Sequence, residues 1–156
     1  MSDTVAVATT GATETLAGFV VGVSYAALPD AVHSRLKECF LDFIGISAYA
    51  ATHAESSPAF RAGVQSLTSE SGPGTVIGES RGYSYPYAAL LNGAYAHTLD
   101  FDDTNLFGSL HPGAPVIAAA MAEAERSGAS GRAFIEALAA GYEVSCRVGA
   151  ALGPTT

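Results

Sequence analysis

Residues 111–152 read HPGAPVIAAAMAEAERSGASGRAFIEALAAGYEVSCRVGAAL, and this stretch decides the fold class. Pro112 marks a helix start, because proline is favoured at the first helical position and disfavours the α conformation in the residue before it. We predict one helix from about Pro112 to Arg126 and another from Ser130 to Leu152, with a break at Ser127-Gly128-Ala129. Two long, alanine-rich helices in succession indicate an all-α domain.

Helical patterns also fill the chain before this stretch. We predict helices from about Thr13 to Val23, from Pro29 onward, from about Pro58 to Thr68, and from Pro86 through YAALLNGAYAHTLD. The apolar stripe of the second helix comprises Val32, Leu36, Cys39, Phe40, Phe43 and Ile44. From Ile44 to Tyr49 this helix is almost entirely apolar or small, so we expect it to be buried there on most sides.

The organisation expected is a leader followed by one helical domain. Residues 1–11 are small and polar without a period, and we interpret them as mobile, with the helical domain at 12–156. Thr75, Val76 and Ile77 form at most a short β-bridge before Gly78 interrupts it. No internal repeat divides the chain further.

Composition and charge exclude several classes of function. The chain has 156 residues, 14% of them charged, a net charge of −8 and seven basic residues that form no stripe. We therefore expect neither nucleic acid nor an anionic membrane as a partner. The apolar runs are too short to span a bilayer and no basic n-region begins the chain, which favours a cytoplasmic protein. Cys39 and Cys146 are interpreted as reduced, buried thiols.

Residues able to do chemistry concentrate in NGAYAHTLDFDDTNLFGSLH, at 92–111. His97 and Asp100 would share a face if the helix reached Asp100, whereas 101–110 is too irregular to continue a helix. Three carboxylates fall within four residues, at Asp100, Asp102 and Asp103. They would repel one another unless some are paired or face different ways. Such a conflict is typical of a functional site, and also of an exposed acidic helix end.

His111 is the candidate acid/base group of this segment. It directly precedes a predicted helix, whose first N–H groups are unpaired and favour a substrate carboxylate. Imidazole exchanges protons near neutral pH, so a histidine there can act as general acid or base. The alternative is a histidine that caps the helix or is simply exposed. The spacing of the nitrogen and oxygen ligands matches no zinc or EF-hand pattern, and we predict no metal site.

These strings together resemble the signature region of the MmgE/PrpD family. Its members typically show an NG-x-x-x-H-x-x-DFDD-T segment, an HPS or HPG start, an alanine-rich helix and a GYEV-x-x-R helix, which LLNGAYAHTLDFDDT and the residues from His111 onward match. LPDAVHSRLKECFLDFIGISAYA and GTVIGES resemble the family's early helix pattern and its short strand. The resemblance extends from about residue 14 to the end of the sequence.

The resemblance implies site residues and a fold. The family includes 2-methylcitrate dehydratase, cis-aconitate decarboxylase and iminodisuccinate epimerase. Residues matching Asp100, Thr104 and His111 line the active site in its dehydratase and decarboxylase branches, which implies that these three are catalytic here. We predict that His97 and Asp103 bind substrate. The implied fold is a large helical domain joined to a smaller α/β domain, usually in a homodimer, with neither a metal nor an organic cofactor.

The resemblance also implies that other residues complete the site. Family members carry a second histidine and active-site lysines beyond the region matched here, and no Lys or Arg lies near Asp100 or His111 in the sequence. We expect the N-terminal part of a lyase, a dehydratase or decarboxylase acting on a small polycarboxylate-like substrate by general acid/base catalysis. Either another chain, in a homo-oligomer or a hetero-complex, or sequence beyond these 156 residues would supply the rest. Two alternatives stay open: an epimerase or isomerase of the same family, and a non-catalytic helical partner subunit.

Overall fold

Six α-helices make up most of residues 11–153, the part of the chain that the computed structural model describes. They are α1 (Ala12–Gly22), α2 (Asp30–His53), α3 (Ser57–Leu67), α4 (Tyr85–His97), α5 (Gly113–Ser127) and α6 (Gly131–Leu152), with a 3-10 helix at Tyr25–Ala27. The predicted all-α fold class is confirmed, and the helix ends differ from those predicted by only a few residues. The expected leader at 1–11 lies, except for Gly11, outside the described residues.

Proline, glycine and serine set several helix ends, as their chemistry predicts. Pro58 and Pro86 are the second residues of α3 and α4, within the first turn, where a missing N–H has no helical partner to lose. Gly128 ends α5 in the left-handed conformation, with φ +66°, which glycine adopts without a Cβ clash. The Ser130 side chain then caps α6 by accepting a hydrogen bond of 3.2 Å from the Ala133 N–H.

Helix α4 lies at the centre of the bundle. It packs most extensively against α5 and also contacts α2 and α3, while α6 packs on α5 and α2. The largest buried side chains include Tyr83, Tyr95, Leu91, Ile117 and Leu138. Small residues supply much of the remaining core, so the helices lie close together and the apolar surface they bury stabilises the domain.

A polar network ties α3 and α4 to the segment between them. The Arg61 Nε donates to Glu79 Oε1 at 2.5 Å, and the Tyr95 hydroxyl donates to the same oxygen at 2.8 Å. Burial, and next the hydrogen bond to Glu79, raises the pKa of Tyr95. The tyrosine therefore stays protonated and keeps its donor role at neutral pH.

The short β-bridge forms between other residues than predicted. Gly74 and Tyr83 make an antiparallel bridge, with N–H to O distances of 2.7 and 3.0 Å. The backbone of the predicted segment pairs instead with the buried Asn92 side chain of α4: the Ile77 N–H donates to Oδ1 and Nδ2 donates to the Thr75 carbonyl, each at 2.8 Å. Asn92 of the NG motif thus replaces a partner strand.

The end of α2 is more exposed than its sequence predicts. Ile44 and Tyr49 are 37% and 53% exposed, and Leu41 is 71% exposed. The expectation of burial on most sides is therefore wrong for the described residues, because α3 and α4 cover only the face that carries Ser47, Ala50 and Ala51. Among residues 11–153, no helix has both the length and the hydropathy needed to cross a membrane.

Packing around α6 gives a test of this fold at Gly149. A Cβ atom added there would lie 2.7 Å from the Gly108 carbonyl oxygen and would also meet the Leu110 side chain. We predict that Gly149→Ala lowers the free energy of unfolding by about 1–3 kcal/mol, because overpacking forces the backbone apart. Denaturant unfolding measures the change.

The matched control is Gly45→Ala in α2, where no atom lies within 4 Å of the added Cβ. Alanine is the better helix former, so this variant should gain about 0.5–1 kcal/mol. If Gly149→Ala were as stable as Gly45→Ala, the close approach of α6 to Gly108 would be wrong.

Candidate active site

The loop between α4 and α5 folds back and brings two histidines together. His97 is the last residue of α4, and His111 lies just before α5. An antiparallel bridge between Asn105 and Leu110 closes the loop, and the Gly108 N–H donates to Asn105 Oδ1 at 2.7 Å. The His97 and His111 rings consequently meet edge to face, with their centroids 5.1 Å apart.

A nearly buried carboxylate, Asp102, joins the two rings. Its side chain is only 6% exposed. The His97 Nδ1 lies 3.1 and 3.0 Å from its two oxygens, and the His111 Nδ1 lies 3.3 Å from its Oδ1. The sequence predicts no role for Asp102 beyond charge repulsion, because only the fold of the loop brings it between the histidines.

Asp100 stands at the exposed side of this cluster. Its side chain is 80% exposed, and its Oδ1 lies 3.7 Å from the His111 Nε2. The residue has φ +55°, in the left-handed region that aspartate tolerates better than most residues other than glycine. The helix has already ended at His97, so His97 and Asp100 approach each other through this turn and not through a shared helix face.

Asp103 faces away from the histidines and holds the start of α5. Its Oδ1 accepts a hydrogen bond of 2.8 Å from the Gly113 N–H, where the helix dipole favours a carboxylate. One of the N–H groups that we expected to face a substrate carboxylate, that of Gly113, is therefore already paired within the chain. The three carboxylates face different ways, which reduces their mutual repulsion. Asp102 contacts the histidines, Asp103 binds the start of α5, and Asp100 is exposed to solvent.

Thr104 is exposed and lies with Asp103 rather than with the histidines. Both line a depression shared with Tyr142 and Cys146. Of the predicted site residues, the structure thus brings His97, Asp100 and His111 together and places Asp103 and Thr104 apart from them.

Three partly buried side chains, Tyr142, Cys39 and Cys146, lie near Asp103. Burial, and next the Asp103 carboxylate, raises the pKa of the Tyr142 hydroxyl. Burial also raises the pKa of the Cys39 and Cys146 thiols. Thiols with raised pKa values react slowly. Both cysteines are only partly buried, so the predicted burial of the two thiols is met only in part.

An open groove of about 570 Å³ runs between α4 and α5 from the two histidines. Its other lining residues are small or apolar: Ala89, Leu90, Gly93, Ala94, Ala114, Pro115, Ala118 and Ala119. All Lys and Arg residues of the sequence fall within the described part of the chain, and none of them lines this groove. A ligand here would meet imidazole groups at one end and apolar walls elsewhere.

The same cluster has the donor atoms of a metal site. His97, Asp100, Asp102 and His111 offer ligand atoms that lie within 4.8 Å of one another, and divalent metals accept this mixture of nitrogen and oxygen. However, Asp102 already pairs with His97, and Asp100 is mostly exposed. We assign no ion to the cluster, and the absence of a metal stays a prediction.

Comparison with known proteins adds independent information. The sequence profile of the MmgE/PrpD N-terminal domain matches residues 14–156. A cis-aconitate decarboxylase-like protein of Aspergillus oryzae (strain ATCC 42149 / RIB 40) is 31% identical over 147 residues, which cover 90% of this chain and 30% of the relative. The chain therefore spans less than a third of that relative's length. No solved structure matches the chain.

The position of Asp103 predicts a role in stability. We expect Asp103→Ala to lower the free energy of unfolding by about 0.5–2 kcal/mol, because the Gly113 N–H loses its side-chain acceptor at the helix start. Asp103→Asn keeps an oxygen acceptor and should lose less. Denaturant unfolding compares the two variants with the parent, and an Asp103→Ala variant of unchanged stability would contradict this role.

Proposed function

The chain belongs to the MmgE/PrpD family, and on this premise we propose that it forms part of a cofactor-independent lyase acting on a polycarboxylate-like substrate. The observation that carries the proposal is the His97–Asp102–His111 cluster at the end of an open groove. The name of the Aspergillus relative favours decarboxylation among the lyase reactions. We also propose a cytoplasmic location.

In this proposal His111 is the principal acid/base group. A dehydratase removes a proton from one carbon while the neighbouring carbon loses its hydroxyl group, and a decarboxylase delivers a proton to the carbon that carbon dioxide leaves. Both reactions need one group that exchanges a proton with the substrate, which imidazole does near neutral pH. The Nε2 of His111 supports this role because it lies toward the exposed Asp100 carboxylate.

The other predicted site residues enter the proposal on different grounds. Asp100 orients substrate or water beside His111, at the distance already described, and His97 contributes to binding because it lines the groove. The proposal for Thr104 rests on the family resemblance alone. Asp103 would reach a substrate only through the depression it shares with Thr104, and its contact with α5 favours a supporting role.

The charges of this chain limit what it binds without help. A polycarboxylate needs several cationic or hydrogen-bonding partners, and the groove offers imidazoles only. Four of the arginines already pair with glutamates: Arg35 with Glu38, Arg61 with Glu79, Arg126 with Glu123 and Arg147 with Glu143. We therefore propose that the substrate site is completed from outside these 156 residues, either by another chain or by further sequence of the same protein.

The alternative of an epimerase or isomerase has less support. Such an enzyme moves a proton with an acid and a base on opposite faces of the substrate carbon. His97 and His111 lie side by side at one end of the groove, which favours a lyase. A non-catalytic partner subunit would show neither reaction.

The proposal predicts a large effect at His111. In the assembled enzyme, His111→Ala should lower kcat by about 10²- to 10⁴-fold, the usual contribution of a general acid/base group. NMR in deuterated water with cis-aconitate and related polycarboxylates measures the reaction. Loss of carbon dioxide or water marks a lyase, and proton exchange with inversion marks an epimerase.

The matched control is His53→Ala, which removes an exposed histidine at the end of α2 and should leave kcat unchanged. A loss of less than about threefold for His111→Ala would remove the catalytic assignment, because it falls below the range of such groups.

The exposed apolar side chains predict association. Val21, Leu106, Phe107 and Leu152 are each more than 80% exposed, and patches of such residues beyond a few hundred Å² are uncommon on monomers. We expect sedimentation velocity to show a dimer or a larger assembly. Leu41→Glu on α2 should weaken it more than Gln65→Glu on α3, and a monomer at high concentration would contradict the prediction.

A further inference from the structure

We infer that Asp102 is a positioning residue that fixes the tautomer of His111 and thereby selects the nitrogen that meets the substrate. This inference rests on the proposed function for its catalytic consequence. The tautomer itself is a property of the chain that can be measured without a substrate.

The His111 Nδ1 is the atom on which Asp102 acts. This atom is buried and has no hydrogen-bond partner, and Asp102 Oδ1 lies 3.3 Å away. A buried polar atom without a partner is costly, which favours donation from Nδ1 to this neighbouring carboxylate. A carboxylate is an acceptor-only group, so Asp102 favours the tautomer of His111 that carries its proton on Nδ1.

The consequence falls on the other ring nitrogen. A neutral imidazole with its proton on Nδ1 has a free electron pair on Nε2. That is the nitrogen near Asp100, at the exposed side of the cluster. Asp102 therefore makes Nε2 the base and holds the ring so that Nε2 points outward.

Asp102 is better placed for this role than Asp100. Both carboxylates lie near the His111 ring, but the Asp102 side chain is 6% exposed and that of Asp100 is 80% exposed. A charge shielded from water acts more strongly on its neighbour. Asp102 is also fixed from the other side, since both of its oxygens lie within hydrogen-bond distance of the His97 Nδ1.

Nuclear magnetic resonance of ¹⁵N-labelled histidine tests the inference directly. The sequence has only four histidines, and the signals of His111 are identified by their loss in His111→Gln. Under conditions where its ring is neutral, His111 in the parent protein should show the proton on Nδ1. In Asp102→Asn the amide can donate to Nδ1, so the proton should move to Nε2.

The kinetic readout separates positioning from binding. Asp102→Asn should lower kcat by about 10²- to 10⁴-fold with little change in KM, because the wrong nitrogen carries the proton. Asp102→Glu keeps the carboxylate and should restore the Nδ1 tautomer and part of kcat. The matched control is Asp30→Asn, which removes an exposed carboxylate 3.9 Å from the His33 Nδ1. It should change neither kcat nor the tautomer of His111.

Several outcomes overturn the inference. An Nε2–H tautomer of His111 in the parent protein refutes it even if Asp102→Asn fails to fold. An unchanged His111 tautomer in a folded Asp102→Asn variant refutes it as well. If the tautomer changes as expected while His111→Ala retains full activity, the proposed function fails and the assignment of the tautomer to Asp102 stands.

Discussion

The close packing of α4 against α5 is the constraint on which the candidate site depends. Their contact faces carry small residues, and a Cβ atom at Gly93 would already lie 3.5 Å from the Ala114 carbonyl oxygen and the Ala118 Cβ. Because α4 ends at His97 and α5 begins after His111, this contact fixes the two anchor points of the connecting loop. The loop spans these two points and places Asp102 between the rings.

The fold class could be predicted from the sequence because its signals are local. Pro58, Pro86 and Gly128 act on the backbone of their own residues, and the helix ends they predict are present. The exposure of Ile44 and Tyr49 could not be predicted in this way. Apolar residues along a helix indicate that its surface packs against something. They do not indicate whether the packing partner belongs to the same part of the chain.

The site was predictable in part, for a related reason. Residue type and spacing identified His97, Asp100 and His111, which the structure brings together, but could not sort three neighbouring carboxylates into different environments. That sorting depends on the loop backbone: the positive φ of Asp100 and the hydrogen bond from Gly113 to Asp103 leave Asp102 facing inward. Neither feature has a signature in the spacing of the residues.

Asn92 has a consequence of another kind. Its amide satisfies the backbone N–H of Ile77 and the carbonyl of Thr75, the groups that an extended segment would otherwise offer to a neighbouring strand. An unpaired strand edge invites addition of a strand from another chain and thereby aggregation. Because the Asn92 amide occupies both backbone groups, they are not available to pair with a strand of another chain.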